Sequence, residues 1–270
     1  MDKVNVLDLP VVARTLVVPL AARARDSARP DALIHDPRAV ELFKHFEGGL
    51  DSIEKLSDFD QVLRTMVVRQ FDHYARTFLT ANPGGLVVDI GCGLSTRFDR
   101  IDNGQMAWLG LDLPEVIELR QQLLPDAKRC YSLAGSMLDL AWLDVVAQMQ
   151  KPVIFLAEGV FAYFTEADVK RVITAISERF PGADLVFDAY SSFIVWGHKN
   201  NAMLKETGAH IHWTVNDPRQ IEPWGLRLLE KWSYFDHHEP RLGIGNLLRY
   251  IPLVADMAYV LHYILEPVNL

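Results

Sequence analysis

Two glycines and an acid carry the clearest chemical signal in this 270-residue sequence. Apolar residues around Asp89 predict a buried strand that runs directly into Gly91 and Gly93, where a tight turn can form and a ligand can approach the backbone. A second apolar run, 107–111, ends in Asp112, 19 residues beyond Gly93. A glycine-rich first turn with an acid after the second strand is the layout by which α/β sheets bind nucleosides, because the acid accepts hydrogen bonds from ribose hydroxyls. A tight strand-to-helix turn that binds no ligand is the alternative.

Thr96 argues against a dinucleotide cofactor. It occupies the third glycine position of the dinucleotide fingerprint, where glycine or alanine is expected. A nicotinamide oxidoreductase is therefore disfavoured. What remains is Asp-x-Gly-x-Gly, with the acid Asp89 inside the first strand.

Glu158 is a further candidate for ligand binding. It follows the apolar run 153–157, at the carboxyl end of a predicted strand, where open α/β sheets place ligand contacts. A carboxylate buried there needs a cation, because an unpaired charge is costly in a protein interior. That cation is either a positively charged group of the ligand or an arginine or lysine of the chain.

Alternating helices and strands must position these residues. Residues 10–82 are predicted to be helical: Asp36 and Pro37 supply an N-cap and a first helical residue, and apolar spacings of three and four indicate an amphipathic helix from Asp58 to Leu79. After it we expect strands at 86–90, 107–111, 130–133, 153–157 and 184–189, with helices at 114–124, 140–150 and 166–179.

This alternation predicts an α/β fold with a mostly parallel, doubly wound sheet. Segments 226–235 and 257–265 are predicted to be late strands joined by a helix at 246–254, and such strands often close a sheet as an antiparallel edge. The aromatic and polar segment 190–222 breaks the alternation and predicts a lid or substrate-binding insertion. We therefore divide the chain into an N-terminal helical cap, 1–83, and a nucleoside-binding domain, 84–270, that includes this insertion.

Composition and charge exclude several other classes of protein. The formal net charge of −8 argues against a nucleic-acid binder, which would normally present a basic face. Cys92 and Cys130 are too few for a disulfide framework or a metal-ligand set, so we expect no metal and a reducing, cytoplasmic setting. Arg249 and Asp256 interrupt the apolar run 244–265, and a charge at mid-bilayer costs on the order of 2.5–3.5 kcal/mol, so we expect no membrane span.

Several longer stretches make the assignment more specific. Together they resemble the leucine carboxyl methyltransferase family, nearest its bacterial branch of tetracenomycin-type polyketide carboxyl O-methyltransferases. The resemblance extends from about residue 10 to residue 190, and beyond that only the order of elements matches. The matching stretches, in chain order, are Arg23–Asp31 with Asp36–Ala39, Val68–Asp72, Val88–Gly93, Leu111–Ile117 and Ala157–Phe164.

The resemblance implies a class I methyltransferase: a Rossmann-like, mostly parallel sheet with an antiparallel edge strand, an N-terminal helical cap and a lid insertion after the fifth strand. It implies S-adenosylmethionine as cofactor and S-adenosylhomocysteine as product. Arg69 would pair with the cofactor carboxylate, Asp112 with both ribose hydroxyls and Glu158 with the ammonium. Where the family has an Asp-Leu pair at the adenine, this chain has Ser136 and Met137. The cofactor-binding residues so implied are Arg23, Arg69, Asp89, Gly91, Gly93, Asp112, Leu113, Ser136, Met137 and Glu158.

The acceptor implied by the resemblance is a small-molecule carboxylate, such as a polyketide or another secondary metabolite. A carboxylate is already ionised at neutral pH, so positioning and not a general base would carry the catalysis. A hydroxyl acceptor would need a base, for which His198, His210 and His212 are the candidates. Tyr163, Tyr190, Trp196 and Trp213 are predicted to wall the acceptor pocket, with plain core packing as their alternative.

Other functions remain open at this point. The acceptor could be a protein C-terminal carboxylate, or the fold could serve as a non-catalytic nucleoside-binding or scaffold protein. The sequence motifs do not predict an oligomeric state, and a homodimer is one hypothesis to test.

Overall fold

Seven strands form the central sheet of the computed structural model, which describes residues 3–8, 11–48, 57–194 and 210–267. A separate pair, β1 (Val4–Asn5) and β2 (Phe46–Glu47), forms a small parallel sheet. The strands of the central sheet are β3 Leu86–Ile90, β4 Ala107–Asp112, β5 Cys130–Ala134, β6 Val153–Ala157, β7 Asp184–Tyr190, β8 Leu226–Ser233 and β9 Ala258–Leu265.

The spatial order of the central sheet is β5-β4-β3-β6-β7-β9-β8. Strands β3 to β7 all run parallel to one another, and β9 runs antiparallel to both β7 and β8. This is the predicted mostly parallel sheet with an antiparallel edge, which confirms the expected fold class. The parallel strands end together at one side of the sheet, here called the carboxyl edge, at Ile90, Asp112, Ala157 and Tyr190.

Helices cover both faces of this sheet. In chain order they are α1 Val11–Ser27, α2 Pro37–Phe43, α3 Asp58–Ala81, α4 Arg97–Ile101, α5 Pro114–Leu123, α6 Trp142–Gln148, α7 Glu166–Arg179 and α8 Pro252–Ala255. Short 3-10 helices lie at Val6–Asp8, Phe161–Tyr163, Pro218–Trp224 and Pro240–Tyr250. Among the described residues, no helix combines the length and the apolar character needed to cross a bilayer.

Alternation along the strands divides the core into two layers. Val87 packs with Phe71 of α3 on one face of the sheet, while its neighbour Val88 packs with Ile173 of α7 on the other. Because α3 leads directly into β3, it runs antiparallel to that strand, and the start of α3 lies toward the carboxyl edge. The cap and the sheet therefore share one apolar layer, and the division at residue 83 stays a prediction.

Element boundaries follow the predictions closely, with two corrections. Asp36 caps α2 through a 2.8 Å bond from the Ala39 N–H, as the Asp-Pro pair predicted. The run 10–82 is not wholly helical, since β2 lies within it. The predicted helix at 246–254 is wrong: a 3-10 segment broken at Gly243 (φ 54°) and the short α8 occupy this connection.

Candidate active site

The first glycine of the turn is required by its conformation. Gly91 has φ of +67°, and its N–H donates to the Leu111 carbonyl at 2.7 Å. A Cβ added at Gly91 would lie 2.4 Å from Cγ2 of Val160. Glycine is therefore the residue that lets β3 turn at the carboxyl edge without a clash.

Asp112 and the second glycine contact each other directly. The Gly93 N–H donates to Oδ2 of Asp112 at 2.7 Å, and the Leu113 N–H donates to Oδ1 at 2.8 Å. Burial raises the pKa of Asp112, and these two hydrogen bonds oppose that rise. The predicted ribose-binding acid is thus held beside the predicted turn, with its carboxylate partly exposed.

Arg120 supports the same turn from α5, and sequence reasoning missed it. Its guanidinium donates to the carbonyls of Gly93 and Ser95 at 3.0 and 2.7 Å and lies over the ring of Trp108. Leu16 of α1 also packs against Gly93, where an added Cβ would lie 2.8 Å from Cδ2 of Leu16. Residues of both α5 and α1 therefore contact the turn.

A buried arginine behind the turn, Arg97, was also missed. Its guanidinium contacts three carboxylates: Asp72 at 3.1 Å, Asp89 at 2.6 Å and Glu158. Burial alone would lower the pKa of Arg97, but these carboxylates raise it. The cation that a buried Glu158 needs is therefore supplied by the chain itself, through Arg97. Arg97 also pairs with Asp89, a predicted cofactor-binding residue, which is buried.

A second arginine extends these ion pairs toward α2. Arg100 bonds Asp72 at 2.6 Å and Asp36 at 2.7 Å. Thr96, which stands at the third position of the fingerprint, donates its hydroxyl to Asp36 at 2.6 Å. The Arg23 Nε lies 3.3 Å from Asp36, and burial, followed by Arg100, lowers the pKa of Arg23 to about 10. Arg23 also contacts the turn directly, because its Nη2 donates to the Leu94 carbonyl at 2.8 Å.

These side chains form one buried charge network. It contains more carboxylates than guanidinium groups, so its members alone carry one surplus negative charge. Glu158 is the member with the most exposed side chain, 24%. The members of the network are Arg23, Asp36, Asp72, Asp89, Arg97, Arg100 and Glu158.

Arg69 lies on α3 beside this network. Its side chain is 43% exposed, and its Nη1 lies 3.4 Å from Oε2 of Glu239. With Asp72 and Arg100 it lines a cleft of about 420 Å³. The structure thus brings Arg69 close to the network, and its predicted pairing with a ligand carboxylate stays a prediction.

The predicted adenine-binding residues follow β5, next to Asp112. The Gly135 N–H donates to the Asp112 carbonyl at 2.8 Å, which ties this segment to the end of β4. The Ser136 hydroxyl accepts from the Leu138 N–H at 3.2 Å, and Met137 is buried. Both residues therefore adjoin the predicted ribose-binding acid.

A further buried acid outside the network, Asp188, lies at the carboxyl edge on β7 and was missed by sequence reasoning. Its carboxylate accepts from the Gly159 N–H at 2.6 Å and from the Tyr190 hydroxyl at 2.9 Å. Burial raises the pKa of Asp188 to about 6, and the neighbouring charge of Glu158 acts in the same direction. Asp188 therefore links the turn that carries Glu158 to Tyr190, a predicted acceptor-pocket residue.

The other predicted acceptor residues have different surroundings. Tyr163 is 41% exposed, whereas Trp213 is 4% exposed and stacks on Trp224 with ring centroids 5.8 Å apart. The burial of Trp213 therefore favours core packing over a role in the wall of the acceptor pocket. His210 and His212 are exposed, with ring centroids 6.4 Å apart. Trp196 and His198 lie outside the described residues.

In residues 3–8, 11–48, 57–194 and 210–267, no three His, Cys, Asp or Glu side chains are grouped so that they could hold a metal ion.

Comparisons with known proteins agree on the class of this chain. The sequence model of the leucine carboxyl methyltransferase family matches residues 16–177. The tetracenomycin polyketide synthesis O-methyltransferase TcmP of Streptomyces glaucescens is 32% identical over 83% of this chain and 84% of its own. The S-adenosyl-L-methionine-dependent methyltransferase dpfgK of Gibberella zeae is 28% identical over 90% of this chain and 89% of its own.

A solved structure supports the fold. A DUF574 family protein from Streptomyces avermitilis superposes with a TM-score of 0.60 at 15% identity, covering 90% of this chain and 96% of its own.

Proposed function

Because the chain belongs to the leucine carboxyl methyltransferase family and is an S-adenosylmethionine-dependent methyltransferase, we propose that it methylates the carboxylate of a small molecule. The observation that carries the proposal is the meeting of the glycine turn, Asp112 and Glu158 at one edge of the sheet, in a family whose description names a carboxyl group. The kinship to TcmP supports an acceptor of polyketide type.

Asp112 and the glycine turn are proposed to hold the nucleoside end of the cofactor. Each carboxylate oxygen of Asp112 accepts one backbone hydrogen bond and retains a lone pair that can accept from a ribose hydroxyl. Ser136 and Met137 adjoin Asp112, and their place supports contacts with the adenine ring. Leu113 completes this end through its N–H bond to Asp112.

Glu158 and Arg69 are proposed to hold the amino-acid end of the cofactor. The surplus negative charge of the network and the partial exposure of Glu158 favour binding of an ammonium there. Arg69 is the partly exposed guanidinium beside the network and can pair with a carboxylate in a bidentate manner. Asp89 and Arg23 are proposed to act through the network, because both are buried in ion pairs.

The chain's task in the reaction is positioning. When bound, S-adenosylmethionine would supply an activated methyl group for transfer to an acceptor oxygen, with the electron pair of the broken S–C bond left on sulfur. Gly91 and Gly93 let the backbone approach that group, and the buried network keeps Glu158 in place. A carboxylate acceptor needs no base, so alignment of the two reacting atoms carries the rate.

A hydroxyl acceptor is the second candidate, and Asp188 favours it. A buried carboxylate with a pKa of about 6, bonded to Tyr190 at the acceptor side, has the properties of a general base. For a carboxylate acceptor no such proton transfer is required.

Methyl transfer to matched probes separates these acceptors. Anthracenecarboxylic acid, anthrol and a peptide ending in leucine are incubated with S-adenosylmethionine, and the products are identified by mass spectrometry. We expect a methyl ester of the aromatic acid, which alkali hydrolyses, and we expect Asp188→Asn to leave its formation largely intact. An alkali-stable ether of anthrol that disappears in Asp188→Asn supports the second candidate, and an ester of the peptide alone contradicts the small-molecule proposal.

A further inference from the structure

Three consecutive carbonyl groups of the glycine turn accept hydrogen bonds from buried arginines. Arg120 of α5 donates to the carbonyls of Gly93 and Ser95, at 3.0 and 2.7 Å. The carbonyl between them, that of Leu94, accepts from Arg23 of α1 at 2.8 Å. Both guanidinium groups belong to buried residues, so these bonds lie inside the protein and restrict the orientation of all three peptide groups.

Arg120 is a buried cation for which the described part of the chain supplies no carboxylate in ion-pair contact. The residue is 3% exposed, and its Nε has no hydrogen-bond partner among the described residues. Burying a charge without a counter-ion is costly, and the two carbonyls and the face of an aromatic ring offset only part of that cost. A neutral side chain could fill this space without the cost, so packing alone does not explain an arginine here.

The ring beneath Arg120 is that of Trp108, a fully buried residue of β4. The centre of the guanidinium lies 4.5 Å from the ring centroid. A Cβ added at Gly110 would lie 2.2 Å from Cη2 of Trp108 and 2.7 Å from Sγ of Cys92, so the ring occupies the space between β4 and the turn. The guanidinium therefore has a fixed base next to the turn that it bonds.

Gly93 is bonded on both sides to the same β4–α5 unit. Its N–H donates to Oδ2 of Asp112, the last residue of β4, at 2.7 Å, and its carbonyl accepts from Arg120 in the second half of α5. The charge of Arg120 is also among the influences that oppose the rise in the pKa of Asp112 caused by burial. The position of Gly93 relative to the Asp112 carboxylate therefore depends on the bonds that Arg120 makes.

We propose that Arg120 is a positioning residue for the cofactor, which holds Gly93 where the Asp112 carboxylate can bind both the Gly93 N–H and the ribose hydroxyls. This role rests on the proposed function, in which Asp112 binds the ribose. Without Arg120 the Gly93 peptide groups shift, the Asp112 carboxylate follows the N–H that it accepts, and its remaining lone pairs lose their alignment with the hydroxyls. Arg120 thus contributes to the recognition of the ribose through Gly93 and Asp112.

The test compares two ligands that differ by one hydroxyl: S-adenosylhomocysteine and its 2′-deoxyribose analogue. Their dissociation constants are measured by calorimetry for wild type, Arg120→Met, Arg120→Lys and Asp112→Asn. The ratio of the two constants reports how well the ribose is recognised. Because an unfolded fraction lowers both apparent affinities equally, a merely structural role of Arg120 leaves this ratio unchanged.

Arg129→Met is the matched control. Arg129 also donates to a backbone carbonyl, that of Met106, at 2.9 Å, and its guanidinium lies 5.6 Å from the centroid of the Phe98 ring. These contacts lie at the other end of β4 from Asp112, since Met106 precedes the first residue of that strand. The control therefore loses the same kinds of contact away from the glycine turn.

Wild type should bind S-adenosylhomocysteine at least about tenfold more tightly than the deoxy analogue, which lacks a hydrogen bond to a charged acceptor. In Arg120→Met this preference should fall to about threefold or less, because a misaligned bond contributes little. Arg120→Lys should keep part of the preference, since its ammonium retains the charge without the planar geometry of the guanidinium, and it tests the same ratio if Arg120→Met does not fold. Arg129→Met should keep the full preference.

Two results overturn the inference in distinguishable ways. A preference for the ribose that stays at the wild-type level in the Arg120 variants but falls in Asp112→Asn refutes the role of Arg120 and leaves the proposed role of Asp112 standing. A wild type without this preference, or a preference that Asp112→Asn does not change, refutes the proposed role of Asp112 and the inference with it.

Discussion

Replacement of Arg97 by methionine removes the cation at the centre of the buried charge network. Arg97→Met keeps an unbranched side chain but leaves Asp72, Asp89 and Glu158 without the guanidinium that contacts all three. Removing one partner of a buried ion pair costs about 3–5 kcal/mol, because the remaining charge stays desolvated. For a chain of this size that loss lowers Tm by roughly 6–20 °C.

Differential scanning calorimetry provides the assay, with Arg129→Met as the matched control. Arg129 forms a bidentate pair with Asp102, but both side chains are 26% exposed, so its loss should lower Tm far less than the loss of the buried Arg97. Arg97→Lys should fall between the two, since one ammonium cannot bridge three carboxylates. Equal shifts of Tm in Arg97→Met and Arg129→Met would refute the reasoning.

The pH dependence of Tm for wild type and for Arg97→Met provides a second test. Burial alone would raise the pKa of Asp72, but Arg100 and then Arg97 lower it below the ordinary value. An acid whose folded pKa is lowered adds stability above its unfolded pKa and loses it as the pH falls through the folded pKa. The difference in Tm between wild type and Arg97→Met should therefore shrink as the pH falls below the ordinary pKa of an aspartate.

Three further substitutions test the site. Gly91→Ala should lower the free energy of unfolding by about 1–3 kcal/mol in urea titrations, because a Cβ at φ +67° meets Val160 at 2.4 Å; an unchanged midpoint would contradict this. Asp112→Asn should weaken S-adenosylhomocysteine binding in calorimetry roughly tenfold to hundredfold, the cost of losing bonds to a charged acceptor. Asp126→Asn, which makes the same exchange at another carboxylate that accepts a backbone N–H, should leave that affinity unchanged. Asp188 has a pKa raised to about 6, so its ionisation destabilises the fold as the pH rises from its ordinary value toward 6; in Asp188→Asn that part of the decline in Tm should disappear.

The sheet could be predicted because its signals are local. Each parallel strand is an apolar run bounded by turn residues, and β3, β6 and α7 have the predicted limits. The connection between β8 and β9 could not be predicted from spacing alone. Its apolar residues recur at helical intervals, but Gly245 lies so close to the Phe59 ring that a Cβ would come within 2.4 Å of it. This contact with α3 joins residues far apart in the sequence, so the spacing of apolar residues does not reveal it.

The candidate site likewise contains residues that local sequence signals predict and residues that only the folded structure reveals. Gly91, Gly93 and Asp112 could be found because a turn and a strand end define them locally. Arg97 could not, since its partner Glu158 lies 61 residues away and only folding brings the two together. The need of Glu158 for a cation was visible in the sequence, but the choice between a ligand and an arginine was not.

A crystal structure of the complex with S-adenosylhomocysteine tests the central claim most directly. The ribose hydroxyls should donate to the Asp112 carboxylate, the amino group should face Glu158, and the sulfur should lie above the turn between Gly91 and Gly93. A nucleoside whose ribose contacts another acid, or an amino group directed away from Glu158, would contradict the account.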